Sequence, residues 1–241
     1  PGSATSSQGS VSLLGDPRCA GVVLTIRSLG GGWASLGALR DELLRVRRAG
    51  KRLVAWLPDG GGNRELYVAS VAEQLLTPRT ADVALVGPKV EAHYARRALD
   101  KLGIDVELHA RKEFKSAGDR LARDGRSDSD RLQNEVLLDA VSAELCSAIA
   151  AGRGVPEAKV RGWIDEGPTH GEVARERGIV DLCAHDDDLP SHLAAPIFPA
   201  EGYAARRGIF RSPLRRRSPR VVGIVEVHGA IVDRGSPYSG V

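Results

Sequence analysis

The sequence contains no methionine, not even an initiator, and it stops at Val241 inside a strand-like pattern, so it reads as a fragment of something longer. Cysteine is scarce. Cys19, Cys146 and Cys183 lie far apart and form no CxxC pair, which leaves neither a disulfide framework nor a zinc site to be expected. No run approaches the roughly 18 apolar residues that span a bilayer, and Pro1 to Ser10 is a polar Gly/Ser segment rather than a signal peptide. Any membrane anchor of the parent protein is therefore expected outside this chain. The net charge is only +3, with a pI near 8.9. The excess gathers in Arg206 to Arg220 instead of covering a face that tracks a phosphate backbone, so nucleic acid is not an expected partner.

Two further absences narrow the chemistry. Gly50-Lys51 lacks the Gly-rich lead and the Ser/Thr of a P-loop, which argues against nucleotide binding. His170, His185 and His192, beside Asp186 to Asp188, do not fall at metal-ligand spacing on a helix. Neither a metal nor a cofactor is expected.

What is present is a chain of 241 residues, 42% hydrophobic, enough for a sizeable core. Gly21 to Arg27 (GVVLTIR) is a β-branched apolar run of the buried parallel type, ended by the turn Gly30-Gly31-Gly32. Ser35 to Ala49 then sets Leu36, Leu39, Leu43 and Val46 on one helical face, with Ser35 as N-cap and Gly50 as stop. Lys51 to Leu57 repeats the strand signal, Pro58 to Asn63 breaks it, and Glu65 to Leu76 predicts a second helix. Val83 to Val86 reads as a strand, Ala92 to Leu102 as an amphipathic helix, and Ile104 to Ala110 as a fourth strand running into Arg111-Lys112-Glu113-Phe114-Lys115-Ser116. Helices follow at Ser129 to Ala151, Pro156 to Trp163 and His170 to Arg177. The alternation predicts an α/β layered fold with a mainly parallel sheet and right-handed crossovers. Ala194 to Pro219, proline-rich and strongly basic, reads as a connector, most simply a solvated one, although arginines beside a membrane also suit anionic headgroups. Arg220 to Ile231 opens a new strand pattern. The expected organisation is thus residues 1–200 as a first repeat, 201–219 as linker, and 220–241 as the start of a truncated second repeat.

A lysine serves as a general base only when its pKa falls from about 10.4 towards neutrality, as desolvation in an apolar pocket achieves. Lys115, beside Phe114 at the end of an apolar strand and followed by the small residues Ser116, Ala117 and Gly118, suits that demand. On spacing alone, a lysine at a strand end is more often solvated. Leu99 to Asp128, however, resembles the lysine region of the signal peptide peptidase A (protease IV) family, in which an "lDklGv" helix end leads to a "YKSA" motif. Here the motif is Phe114-Lys115-Ser116-Ala117, with phenylalanine for tyrosine and Arg126 where methionine is common. Gly50-Lys51, the segment Glu65 to Ser70 and Arg177 to Asp181 are similar to the family's "GKpv", "YYlAS" and "GLvD" segments, in the same order.

The resemblance implies a ClpP/crotonase-like spiral of βαβ units and a serine peptidase in which Lys115 is the general base. The family's nucleophilic serine, counted back from Ser70, maps onto Asn63, and a carboxamide is not a nucleophile. Long members are duplicated, the first half giving the lysine and the second the serine. Asn63 then marks a vestigial serine position, Val221 to Gly240 resembles the opening of the second half, and the serine is expected beyond Val241, leaving this chain inactive alone. Ser116 is a candidate supporting residue, bonding locally or holding the ammonium, whereas Ser70 reads as structural. Ser28-Leu29-Gly30-Gly31 is similar to the family's "SPGG" loop, but its glycines are read as permitting a tight turn. The resemblance further implies hydrophobic peptides such as cleaved signal peptides as substrates, a homo-oligomer, and membrane association at the cell envelope. Two other readings stay open: a crotonase-like acyl-CoA enzyme, for which no Glu stands out as base, and a non-catalytic peptide-binding scaffold lacking the serine.

Overall fold

The computed structural model describes residues 19–109, 111–112, 114–199 and 221–227. Their contacts divide the chain into two compact units, one built from the residues up to Val86 together with those from Cys146 onward, the other from Gly87–Leu145. In chain order the first unit supplies β1 (Cys19–Ile26), α1 (Trp33–Arg48), β2 (Arg52–Trp56), β3 (Gly60–Gly62), α2 (Asn63–Ala69), β4 (Gln74–Thr77) and β5 (Asp82–Ala84). The second supplies α3 (Arg96–Lys101), α4 (Asp119–Ala122) and most of α5 (Asp128–Arg153). The first unit resumes with the end of α5, then α6 (Glu157–Glu166), β6 (Thr169–His170), α7 (Gly171–Arg177), β7 (Leu182–Cys183), α8 (Leu189–Leu193), β8 (Ile197–Pro199) and β9 (Val221–Val227).

In the first unit, β1 is buried along its length except at Ala20, as an apolar strand covered on both faces must be. It pairs in parallel with β2, Val23 opposite Val54, and on its other edge with β9, Val23 opposite Ile224. The full order is β7-β4-β2-β1-β9-β8, with every neighbouring pair parallel. Each parallel step requires a crossover, and the helices between the strands provide them. A smaller sheet, β3-β5-β6, is parallel at one pair and antiparallel at the other. The fold is therefore α/β with a parallel main sheet. Val23, Val54, Trp56, Leu76, Ala184, Leu189 and Leu193 form the core cluster under that sheet.

Helix α1 buries Leu36, Leu43 and Val46 as the periodicity predicts, and it begins two residues earlier than Ser35, after an extended Gly32. Arg40 shares its buried face. One Arg40 nitrogen donates to the Tyr67 carbonyl at 2.6 Å and to Ser70 Oγ at 2.7 Å, and the other to the Ala148 carbonyl at 2.5 Å. Its guanidinium lies 5.1 Å from the centre of the Tyr67 ring. One side chain thus joins α1 to the end of α2 and to the last turns of α5.

Several sequence expectations are corrected. The helix predicted over Glu65 to Leu76 ends at Ala69, and Gln74–Thr77 is a strand. Ala55 faces Leu75 in the ladder, so sheet pairing outweighs the helical periodicity of that stretch. The break at Pro58 to Asn63 contains β3, admitted because Gly60 sits at φ +77 with a hypothetical Cβ only 1.9 Å from the Asp82 carbonyl. Within the predicted connector, Ile197–Pro199 pairs in parallel with β9. The basic run from Arg206, Pro1 to Ser10 and the turn after β9 lie outside the described residues. So does the 201–219 boundary. The division into 1–200 and 220–241 concerns repeats, whereas the contacts concern compact units and place β9 beside β1.

In the second unit, the helix predicted over Ala92 to Leu102 is limited to Arg96–Lys101, none of it buried. The strand predicted over Ile104 to Ala110 is not formed at residues 104–109, and Ala110 lies outside the described residues. Ile104 and Leu108 are 47% and 42% exposed. An extended segment becomes a strand only with a ladder partner, and among the described residues none is paired with residues 104–109. Among the unit's described residues, Leu145 is the only buried hydrophobic side chain.

Candidate active site

Asn63 opens α2, directly after β3. Its Oδ1 accepts from the Val86 amide at 3.0 Å. Two residues on, the Glu65 carboxylate accepts from the Leu29 amide at 2.8 Å through one oxygen and from the Gly62 amide at 3.0 Å through the other. Leu29 belongs to the Ser28 to Gly31 loop, so Glu65 fastens that loop to the start of α2. The two N–H groups reach different oxygens of the carboxylate, and the Gly62 contact is Glu65 reaching back to cap the start of α2. Gly31 has φ +90, in keeping with its reading as a turn glycine. Ser70 caps the C-terminal end of α2, is 1% exposed, and donates to the Tyr67 carbonyl at 2.9 Å. Its hydroxyl is structural.

Lys115 lies in the second unit, on an exposed segment that enters a three-residue turn at Ser116–Gly118. The sequence placed it at the end of an apolar strand; it sits instead on a loop, because that strand is not formed. Phe114 is 50% exposed, so the dry pocket expected around the lysine is not built by these neighbours. Ser116 Oγ donates to Asp130 Oδ1 at 2.9 Å, a partner the sequence reading missed. The Ser-x-x-acid pattern Ser127-Asp128-Ser129-Asp130 marks the helix start, but it does not name Ser116 as a partner.

Elsewhere in the first unit, hydrogen bonding to Arg175 holds the Glu172 carboxyl below its ordinary range and raises Arg175. Burial, followed by the charge of Glu172, pushes the Cys183 thiol up, which disfavours the reactive thiolate. His185 and Asp188 serve a local turn, Asp188 Oδ2 accepting from the His185 amide at 3.1 Å. Among the described residues, no three His, Cys, Asp or Glu side chains are placed to hold a metal ion. No helix there is long and apolar enough to cross a membrane.

Against this geometry, the sequence model of peptidase family S49 matches residues 45–195, which include both Asn63 and Lys115. The chain belongs to peptidase family S49. It is 29% identical over 178 residues to the chloroplastic serine protease SPPA of Arabidopsis thaliana, a match covering 74% of this chain and 26% of that protein. The chain thus spans about a quarter of the length of that curated relative. Among solved structures, a peptidase from Plasmodium falciparum overlaps at TM-score 0.45 with 7% identity, over 75% of this chain and 88% of the other. A membrane-bound stomatin-specific protease, 1510-N, overlaps at 0.41 with 10% identity, over 88% and 98%. An enoyl-CoA hydratase/isomerase from Marinobacter aquaeolei overlaps at 0.36 with 13% identity, over 77% and 51%. The strands and helices alternate around a parallel main sheet, the α/β layering that the sequence predicts.

Proposed function

We propose that this chain is the lysine-bearing part of a serine endopeptidase that uses a Ser/Lys dyad on hydrophobic peptides, released signal peptides among them. The observation that carries the reading is the S49 match running across Lys115 while the serine position holds Asn63. In the proposed reaction, the Lys115 amine takes the proton of a serine from outside this chain. The alkoxide attacks the scissile carbonyl, and the resulting ammonium protonates the leaving amine. Ester hydrolysis then returns the serine.

The proposal extends to a homo-oligomer associated with a membrane of the cell envelope through a segment outside this chain. The exposed apolar side chains of the second unit, Leu102 at 73% and Val136 at 61%, support assembly. A second reading, a peptide-binding scaffold without catalysis, is favoured by Asn63 itself. One experiment separates the two: turnover of an internally quenched leucine-rich peptide by the complete protein and by Lys115→Ala. Loss of turnover in a variant that still folds and assembles supports the dyad; retained turnover removes Lys115 from the mechanism. The 241-residue chain alone is expected not to react with a serine-directed fluorophosphonate, and labelling above background contradicts the assignment of Asn63.

A further inference from the structure

Little apart from hydrogen bonding holds the segment that carries Lys115. Lys115 and Ala117 are exposed, Phe114 is half-exposed, and the Lys115 amide reaches the Lys112 carbonyl only at 3.4 Å. The restraint lies one residue further on. Ser116 Oγ donates to Asp130 Oδ1 at 2.9 Å, and the same oxygen accepts from Asn134 Nδ2 at 3.1 Å. Asn134 Nδ2 also donates to the Asp130 carbonyl at 2.7 Å, so the amide locks the carboxylate to its own helical turn. Asp130 Oδ2 faces Arg126 Nε at 3.9 Å, and the Asp130 side chain is 18% exposed.

A second carboxylate closes the loop between the turn and α5. Ser127 Oγ accepts from the Asp130 amide at 3.3 Å and donates to Asp119 Oδ2 at 2.7 Å. Asp119, its side chain 9% exposed, also faces Arg123 Nε at 3.4 Å. Two carboxylates and two guanidiniums balance, with Ser116, Ser127 and Asn134 as neutral donors. The network fixes both ends of the stretch from Ser116 to Asp130.

We infer that Asp130 is a positioning residue for the dyad: through Ser116 it holds the backbone from which Lys115 reaches, without bonding the amine itself. The inference rests on the reading of Lys115 as general base. Lysine has four rotatable side-chain bonds, so the reach of its amine depends on where its backbone is anchored, and Ser116 is the adjacent residue. A displacement of about 1 Å at a catalytic group costs up to about 100-fold in rate.

The test uses the complete protein and the quenched leucine-rich peptide, with Ser116→Ala, Asp130→Ala, Asp130→Asn and the double alanine variant. Each single alanine is expected to lower kcat by roughly 10- to 100-fold with KM nearly unchanged. The double variant is expected to lose no more than the worse single, because both changes break one link. Asp130→Asn keeps an oxygen able to accept from Ser116 and recovers most of kcat. Multiplying losses, or an asparagine as damaging as alanine, overturn the positioning role. Amide hydrogen exchange at Lys115 to Gly118 reads the clamp independently of chemistry and is expected to speed up in Ser116→Ala, which leaves the helix start intact if Asp130→Ala does not fold. Unchanged exchange there overturns the clamp even with Lys115 essential. Full turnover in Lys115→Ala removes the catalytic role while accelerated exchange still demonstrates the clamp, so the two failures are distinguishable.

Discussion

Glycine to alanine inside a helix ordinarily stabilises by about 0.5–1 kcal/mol, through the lower chain entropy of the unfolded state. Gly152, near the C-terminal end of α5, is expected to break that rule. A Cβ built there lies 2.1 Å from the Ser70 carbonyl oxygen, 2.7 Å from its carbon and 3.1 Å from Ser70 Cβ. Ordinary carbon contacts begin near 3.4 Å, so the helix end would have to retreat by about 1 Å. Retreat is opposed at the same junction, because Arg40 binds the Ala148 carbonyl on α5 and Ser70 beyond α2, and Arg153 donates to both carboxylate oxygens of Asp181 at 2.8 and 2.5 Å. Overpacking of this kind costs about 1–3 kcal/mol, more than the propensity gain. Gly162, inside α6, is the control, since nothing lies within 4 Å of its Cβ position. Gly162→Ala is expected to stabilise by about 0.5–1 kcal/mol and Gly152→Ala to destabilise by about 1–2 kcal/mol. Urea unfolding of the chain, with m values compared to exclude a change in cooperativity, measures both. Equal shifts of one sign would refute the close packing of α5 on Ser70.

Arg40→Met keeps an apolar stem of similar length but removes three bonds from a charged donor, each worth about 1.5–3 kcal/mol and not additive. A loss of roughly 2–4 kcal/mol is expected by the same unfolding assay, and a variant as stable as wild type contradicts the staple. Cys183, whose thiol is pushed up by burial and by Glu172, should alkylate slowly with iodoacetamide at pH 8. Glu172→Gln should hasten that reaction, because removing the anionic neighbour favours thiolate; an unchanged rate assigns the protection to burial alone. Cys19 and Cys146, 1% and 0% exposed, should react only on denaturation, as peptide mass mapping would show.

The parts of the fold set by local pattern were legible in the sequence. The run from Gly21, the strand at Lys51 to Leu57 and the long helix from Ser129 carry enough periodicity, or enough unbroken apolar content, to be read without a partner. Gln74–Thr77 was misread because Leu75 and Leu76 fit a helical stripe as well as a ladder, and only pairing with β2 decides between them. Ile104 to Ala110 erred the other way, since an apolar run predicts a strand only where a neighbouring strand receives it. In the candidate site, motif order pointed to the segments around Asn63 and Lys115, and the S49 match spans both. The Asp130 partner of Ser116 and the Glu65 bonds to Leu29 and Gly62 were not used, because they join residues 14, 36 and 3 positions apart by side-chain reach that spacing alone does not specify.

The placement of Glu65 bears on any effort to install a nucleophile at position 63. Asn63→Ser would place a hydroxyl at the first residue of α2, where the Leu29 and Gly62 amides already bond the Glu65 carboxylate. An alkoxide at position 63 would lie two residues from that carboxylate, and a like charge nearby disfavours the ionised form. Installing a nucleophile there is therefore a two-residue problem, because removing the acid at 65 also frees the cap of α2 and the tie to the Leu29 loop.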